Sequence, residues 1–204
     1  MQRTKVALLS FGLVLGLLIG TTGATSHPTR DSDRRGTVVR WDLVQIVDGI
    51  VLPGGTDVSA TASGHTISLT GSGHAEPRRD KAFGGGTFVH RLPDGSEVTG
   101  SYHVTEFKSW LRLRGGSIVG LLTDGVGPIN RATSGILKLR VRLVAAGGSP
   151  QFNGVLTIFC HLPGTIRDAP EGFALRVPAL GLDFDQQVSG LTLFHVIRPL
   201  GRLP

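Results

Sequence analysis

The chain has 204 residues, a formal net charge of +6 and one cysteine, Cys160. A single cysteine excludes an internal disulfide, and the scattered Lys and Arg residues lack the interleaved aromatic residues of a groove that binds single-stranded nucleic acid. About 180 residues follow the N-terminal segment described next, which suits one domain with a core of its own.

The first 26 residues have the three parts of a secretory signal peptide. Residues 1–5 are basic, residues 6–20 carry no charge, and residues 21–26 are small. The apolar run is short for a membrane-spanning helix, which needs about 20 residues. We therefore expect cleavage near Ala24 or Ser26, with retention as an uncleaved anchor as the alternative. The protein is expected to be secreted or held in the cell envelope, with no stable membrane span after cleavage.

The rest of the chain predicts a flexible leader over residues 27–36 and one all-β domain over residues 37–204. Thirty glycines and eleven prolines separate short runs rich in Val, Thr and Leu, and no helical period persists for three turns. This pattern is typical of a single antiparallel β-barrel or β-sandwich. The lack of a disulfide framework favours a bacterial exported protein, and the preference for Arg over Lys is typical of a GC-rich genome.

The first strands are predicted over residues 37–47, 50–53, 56–62 and 65–75. The first two are joined by a turn at Asp48-Gly49, and the last two by a turn at Ser63-Gly64. Residues 76–82 are charged and predict an exposed loop.

Residues 84–104 predict a hairpin around the turn Pro93-Asp94-Gly95. Pairing of Leu92 with Ser96 sets the register, because it places the apolar side chains on one face and the polar ones on the other. The expected inward face carries Phe88, His90, Leu92, Val98, Tyr102 and Val104. The second strand is expected to continue to residue 114, with a bend or bulge near Ser109-Trp110.

Later strands are predicted over residues 135–146, 152–162, 173–177, 180–184 and 190–197. In the first of these, Lys138, Arg140 and Arg142 alternate with aliphatic residues, which indicates one solvent-facing and one core-facing side. Residues 152–162 form a nearly continuous apolar run, which favours a central strand or one buried on both faces.

The hairpin sequence resembles a pattern in uncharacterised exported bacterial β-proteins. In that pattern a Gly-Gly-Gly-Thr-Phe strand is followed by a turn and by a strand with Gly, then Thr or Ser, then an aromatic residue. The resemblance spans roughly residues 60–160. It implies an exported all-β protein, and it brings no activity, cofactor or site residues.

No motif in the sequence identifies a reaction. Cys160 lies in an apolar strand, which predicts a buried core thiol rather than a nucleophile. The seven histidines form neither His-x-His nor His-Glu-x-x-His, so no metal site and no cofactor is predicted, and each histidine is expected at a surface or an edge.

Besides a surface-adhesion or packing protein with no pocket, two functions remain open from the sequence. The first is a non-enzymatic binding module for a small apolar ligand or a partner surface such as a cell-surface component, without nucleic acid as a partner. The alternative is a barrel-type cyclase or isomerase with a polar site inside the barrel, for which His90, Tyr102 and Glu106 are the candidate catalytic residues. Oligomeric state is not predicted.

Overall fold

The computed structural model of the chain describes residues 36–167 and 170–197. The predicted signal peptide and the leader up to residue 35 lie outside the described residues. The described part consists of strands and two single-turn 3₁₀ helices, Ile129–Arg131 and Pro178–Leu180, which confirms the all-β prediction. The strands are β1 (Val38–Val47), β2 (Ile50–Pro53), β3 (Asp57–Ala60), β4 (Thr66–Leu69), β5 (Ser72–Glu76), β6 (Lys81–Arg91), β7 (Glu97–Arg112), β8 (Thr123–Asp124), β9 (Ala132–Thr133), β10 (Gly135–Ala145), β11 (Gln151–Cys160), β12 (Gly172–Val177), β13 (Leu182–Phe184), β14 (Gln186–Ser189) and β15 (Leu191–Ile197).

The fifteen strands form one hydrogen-bonded sheet with the main order β13-β12-β11-β10-β7-β6-β5-β1-β15-β9. A branch through β4, β3 and β14 leaves β6, and β2 and β8 extend from β1. The pairing of β2 with β8 is parallel and the other pairings of the described strands are antiparallel. The end strands β13 and β9 do not pair with each other. The sheet is therefore not closed into a barrel, which corrects that alternative of the fold prediction.

One hydrophobic core lies inside this sheet. Strand β12 packs against β3 and β14, and β11 packs against β15, although none of these pairs shares a backbone ladder. The largest fully buried side chains are Trp41, Tyr102, Phe184 and Phe194. These non-adjacent strands thus approach each other across the core while they belong to a single sheet.

The two earliest predicted turns are confirmed. Asp48 and Gly49 both have positive φ, at 51° and 76°, and join β1 to β2, as a two-residue hairpin turn requires. The turn at Ser63-Gly64 joins β3 to β4. The predicted strand over residues 65–75 is wrong in extent, because it divides at Gly71 into β4 and β5, which lie on different branches of the sheet.

The predicted hairpin is confirmed in register. Its strands are β6 and β7, and Phe88 pairs with Gly100, His90 with Val98 and Arg91 with Glu97. Strand β7 continues to Arg112, two residues short of the predicted end at residue 114. Its pairing with β10 shifts register twice, so that Thr105 and Lys108 have no partner. The bulge expected near Ser109-Trp110 therefore begins one residue earlier, at Lys108.

A cross-strand glycine pair lets the central tryptophan pack onto the sheet. Gly73 of β5 faces Gly84 of β6. A β-carbon at either position would lie 2.8 or 2.9 Å from one carbon of the Trp41 ring. Residues 84–86, the glycine run of the sequence, thus belong to strand β6, and the missing side chains of Gly73 and Gly84 make room for the indole.

Candidate functional site

The inward face of the β6–β7 hairpin holds two of the three candidate catalytic residues. Phe88 and Tyr102 are buried, His90 is half-buried, and Val98 at the hairpin end is more exposed. The Tyr102 hydroxyl donates a hydrogen bond to the Thr70 carbonyl oxygen at 3.0 Å. Burial, and to a lesser extent the nearby Asp57, raises the pKa of Tyr102. Its proton is therefore held in a backbone contact inside the core.

The third candidate, Glu106, lies on the outer surface. Its carboxylate accepts a hydrogen bond from Lys108 at 2.9 Å and lies 3.2 Å from Arg140. The hydrogen bond from Lys108 is the main cause that lowers the pKa of Glu106. The structure therefore places Glu106 in an exposed ion cluster and does not bring it to Tyr102, which is buried.

His90 has a partner that the sequence did not indicate. Its Nε2 lies 3.0 Å from Nδ1 of His65, which follows the turn between β3 and β4. The two ring centres are 5.2 Å apart and the ring planes differ by 28°. For two nitrogens 3.0 Å apart, a distance of 5.2 Å between the ring centres is nearly the largest possible. The two nitrogens therefore point at each other. Such an arrangement suits one shared proton, whereas a bound metal ion needs lone pairs that converge beside the rings.

A small apolar cleft adjoins His90, with a volume of about 50 Å³. It lies where the end of the hairpin meets β10, β11 and β13. His90 is the one polar side chain among the lining residues that the structure describes, and it packs edge-on against the ring of Phe184 at 5.5 Å. The other large side chains that line the cleft are Ile67, Phe88, Val98, Leu143, Phe152, Val177, Leu180, Leu182 and Phe184.

The outer face of β10 carries the predicted basic row. Lys138, Arg140 and Arg142 are exposed, while the residues between them are buried, which confirms the predicted alternation. Arg176 of β12 lies in the same register row as Arg140, across Val155 of β11. A shallow depression beside Arg142 is lined by Gln151, Phe152 and Asn153. This face therefore presents three guanidinium groups and one ammonium group beside the amide side chains of Gln151 and Asn153.

Two carboxyl groups, one fully and one partly buried, have raised pKa values, and no sequence pattern indicated either of them. Asp57 at the start of β3 is fully buried, and its Oδ1 accepts a hydrogen bond from the Leu191 amide at 2.9 Å. Its Oδ2 is buried without a hydrogen-bond partner. Burial raises the pKa of Asp57 to about 8, and the nearby Glu171 adds to that rise.

Glu171, just before β12, is the second of these groups. It accepts hydrogen bonds from the His161 and Thr192 amides and from the Thr192 hydroxyl. Burial raises the pKa of Glu171, and these hydrogen bonds oppose the rise. Cys160 is fully buried, as predicted. Its burial, and then the charge of the nearby Glu171, raises the pKa of the Cys160 thiol.

His195 corrects the expectation that each histidine lies at a surface or an edge. It is fully buried in β15, and its Nε2 lies 2.7 Å from Oδ2 of Asp124. The other carboxylate oxygen of Asp124 accepts hydrogen bonds from the Val126 and Gly127 amides. The contact between His195 and Asp124 therefore holds the loop after β8 against β15. The Nδ1 of His195 is buried without a hydrogen-bond partner.

Across the described ranges, no group of three or more His, Cys, Asp or Glu side chains converges as a metal site would require. Within the same ranges, no helix is long and apolar enough to cross a membrane. No family model, curated protein or solved structure matches the chain. The resemblance to exported bacterial β-proteins therefore stays a prediction.

Proposed function

We propose that the protein is a non-enzymatic binding module whose outer sheet face binds an anionic cell-surface polysaccharide that carries phosphate groups. The observation that supports this proposal is the exposed row of Lys138, Arg140 and Arg142 along β10. Alternate residues of a strand are about 7 Å apart on one face. A polymer with repeated anionic groups can contact such a row at several points.

The charges on this face are only partly neutralised by neighbours. Arg140 lies 3.2 Å from Glu106. No carboxylate of the described residues forms an ion pair with Lys138, Arg142 or Arg176. Guanidinium groups bind phosphate through two parallel hydrogen bonds, so a phosphate-bearing partner suits Arg142 and Arg176.

The shape of the face favours a polymer over a small ligand. The depression beside Arg142 is open, and its amide side chains, Gln151 and Asn153, can bond to sugar hydroxyl groups. The cleft beside His90 has a volume of about 50 Å³, whereas pockets for small molecules hold about 300–1,000 Å³. A small apolar ligand therefore draws less support than a partner surface.

The alternative of an enzyme with a polar internal site also draws less support. Tyr102 donates its proton to a backbone carbonyl in the core, and Glu106 is exposed in an ion cluster. The proposal also includes export to the secreted or cell-envelope compartment, which rests on the signal-like residues 1–26. N-terminal sequencing of protein recovered from culture medium or from the cell envelope tests the export, and a mature chain that begins near residue 27 is expected.

Binding to phosphomannan, measured by biolayer interferometry at 50 and 200 mM salt, tests the partner. The triple variant Lys138→Gln, Arg140→Gln, Arg142→Gln is expected to bind about 3- to 150-fold more weakly, since exposed ion pairs contribute about 0.2–1 kcal/mol each. Higher salt should weaken wild-type binding, because it screens exposed charges. Uncharged mannan should not bind.

A matched control separates this face from overall charge. The variant Arg78→Gln, Arg79→Gln, Lys81→Gln makes the same charge change at the turn between β5 and β6, and it should bind within about twofold of wild type because screening limits remote charges. Equal losses in both variants would contradict a site on β10. Binding to anionic phosphatidylglycerol vesicles without binding to phosphomannan would replace the polysaccharide with a lipid surface.

A further inference from the structure

We propose that the hydrogen bond between His65 and His90 is a proton-operated latch that keeps the apolar cleft closed, and that adding a second proton to the pair opens it. The pair lies at the edge of the cleft, and the two nitrogens are 3.0 Å apart and face each other. The latch is separate from the basic face of β10, so it does not rest on the proposed function.

The arrangement of the rings limits how many protons the pair can hold. A neutral imidazole has one donor and one acceptor nitrogen, and a protonated one has two donors. The contact between His65 Nδ1 and His90 Nε2 therefore forms when neither ring or one ring is protonated. When both are protonated, two N–H groups and two positive charges meet head-on. The hydrogen bond is then replaced by repulsion.

The latch joins three parts of the fold around the cleft. The His65 amide donates to the Thr61 hydroxyl at 3.1 Å, which ties the first ring to the turn before β4. His90 belongs to β6, and its ring meets the buried Phe184 of β13 edge-on, with planes at 86°. A charge on His90 is therefore placed against an aromatic ring in the wall of the cleft.

Strand β13 is the wall of the cleft that is expected to move first. This strand has three residues, and its ladder pairs with β12 at Leu182, Asp183 and Phe184. The β6–β7 hairpin has seven register pairs by comparison. Repulsion between two protonated rings acts on His90, which packs against Phe184. It should release β13 before the hairpin, because local opening begins in elements with few pairings.

Few other charged groups face the pair. Asp94 in the hairpin turn is near enough to His65 for the two charges to interact, and hydrogen bonds from Ser96 are the main cause that lowers the pKa of Asp94. Asp183 and Asp185 flank Phe184, and both are exposed. Side chains alternate along a strand, so Asp183 points away from His90. Burial, and then the charge of His65, lowers the pKa of His90, so the second proton is the harder one to add.

The latch is tested by binding of the uncharged dye N-phenyl-1-naphthylamine between pH 7.5 and pH 4.5. Dye fluorescence with the wild-type protein should rise at least threefold as the pH falls. His65→Gln and His90→Gln should each show no rise, because glutamine keeps one donor and one acceptor and takes up no proton. His103→Gln, on the exposed face of β7, is the matched control and should behave as wild type.

Three results would overturn the latch: no rise with the wild-type protein, a rise that persists in either glutamine variant, or a rise that coincides with loss of the near-ultraviolet circular dichroism of the whole domain. NMR provides a second measurement that needs no variant. The ring nitrogen signals of His65 and His90 should titrate together in two steps, since strongly coupled groups titrate as a pair. Independent single-step titrations would contradict the shared proton.

Discussion

Asp57 makes the stability of this protein depend on pH in the direction opposite to that of an ion-paired carboxylate. It is fully buried, one oxygen accepts a hydrogen bond from the Leu191 amide, and the other has no partner. Burial raises its pKa from 3.8 to about 8. Between these values the folded protein holds a proton that the unfolded chain has released.

The magnitude follows from this difference in proton binding. Stability falls as pH rises wherever the folded state binds more protons, by about 1.4 kcal/mol per pH unit for one proton. Between pH 4 and pH 7 the free energy of unfolding should therefore fall by roughly 4 kcal/mol through Asp57. Below the unfolded pKa the penalty is absent, and above the folded pKa it is complete. Glu171, whose pKa is also raised, acts in the same direction.

Urea denaturation at pH 5, 6, 7 and 8 measures this effect, with tryptophan fluorescence as the signal. Asp57→Asn keeps the oxygen that accepts the Leu191 amide and removes the ionisation. The variant should gain stability relative to wild type by about 1.4 kcal/mol for each pH unit up to pH 8. Asp183→Asn, at an exposed position, should give a constant difference. A difference between wild type and Asp57→Asn that does not change with pH would refute the reasoning.

Three further substitutions or modifications test the core. Gly84→Ala should lower the free energy of unfolding by more than about 2 kcal/mol in urea denaturation, because its β-carbon would meet a carbonyl oxygen at 2.3 Å. As a control, Gly49→Ala has open space around it and should lower the free energy of unfolding by about 1 kcal/mol. Tyr102→Phe should cost about 1–2 kcal/mol in the same assay, because it leaves the partly buried Thr70 carbonyl without its donor. Cys160 should react with Ellman's reagent only in denaturant, because burial shields the thiol and raises its pKa; rapid reaction of the native protein would contradict its burial.

The sequence predicted those parts of the fold that neighbouring residues determine. The Asp48-Gly49 turn, the register of the β6–β7 hairpin and the alternation along β10 each depend on turn chemistry or on a period of two residues. Strand β14 was missed, because its four residues are all exposed and carry no such period. The division at Gly71 was missed because its two parts pair with different, distant strands.

The candidate site shows the same limit. His90 and Tyr102 were placed on one face because both belong to the hairpin, and the structure confirms that placement. Glu106 lies past the first register shift of β7, where the alternation changes phase, so its outward position could not be read from the spacing. His65 is 25 residues from His90 in sequence. Its contact depends on the pairing of β4 with β6, which no local pattern specifies.

The buried acids suggest why the sheet stays open. On the edge of β15 away from β1, the short β9 pairs only with Phe194 and His195. At the start of β15, the Thr192 amide donates instead to the Glu171 carboxyl group, and the Thr192 hydroxyl contacts both that group and the Phe159 carbonyl of β11. Side chains thus provide the hydrogen bonds that a closing strand would otherwise make, and buried backbone groups need such partners. Since these contacts join β15 to β11 without a ladder, the two strands pack together while the sheet remains unclosed.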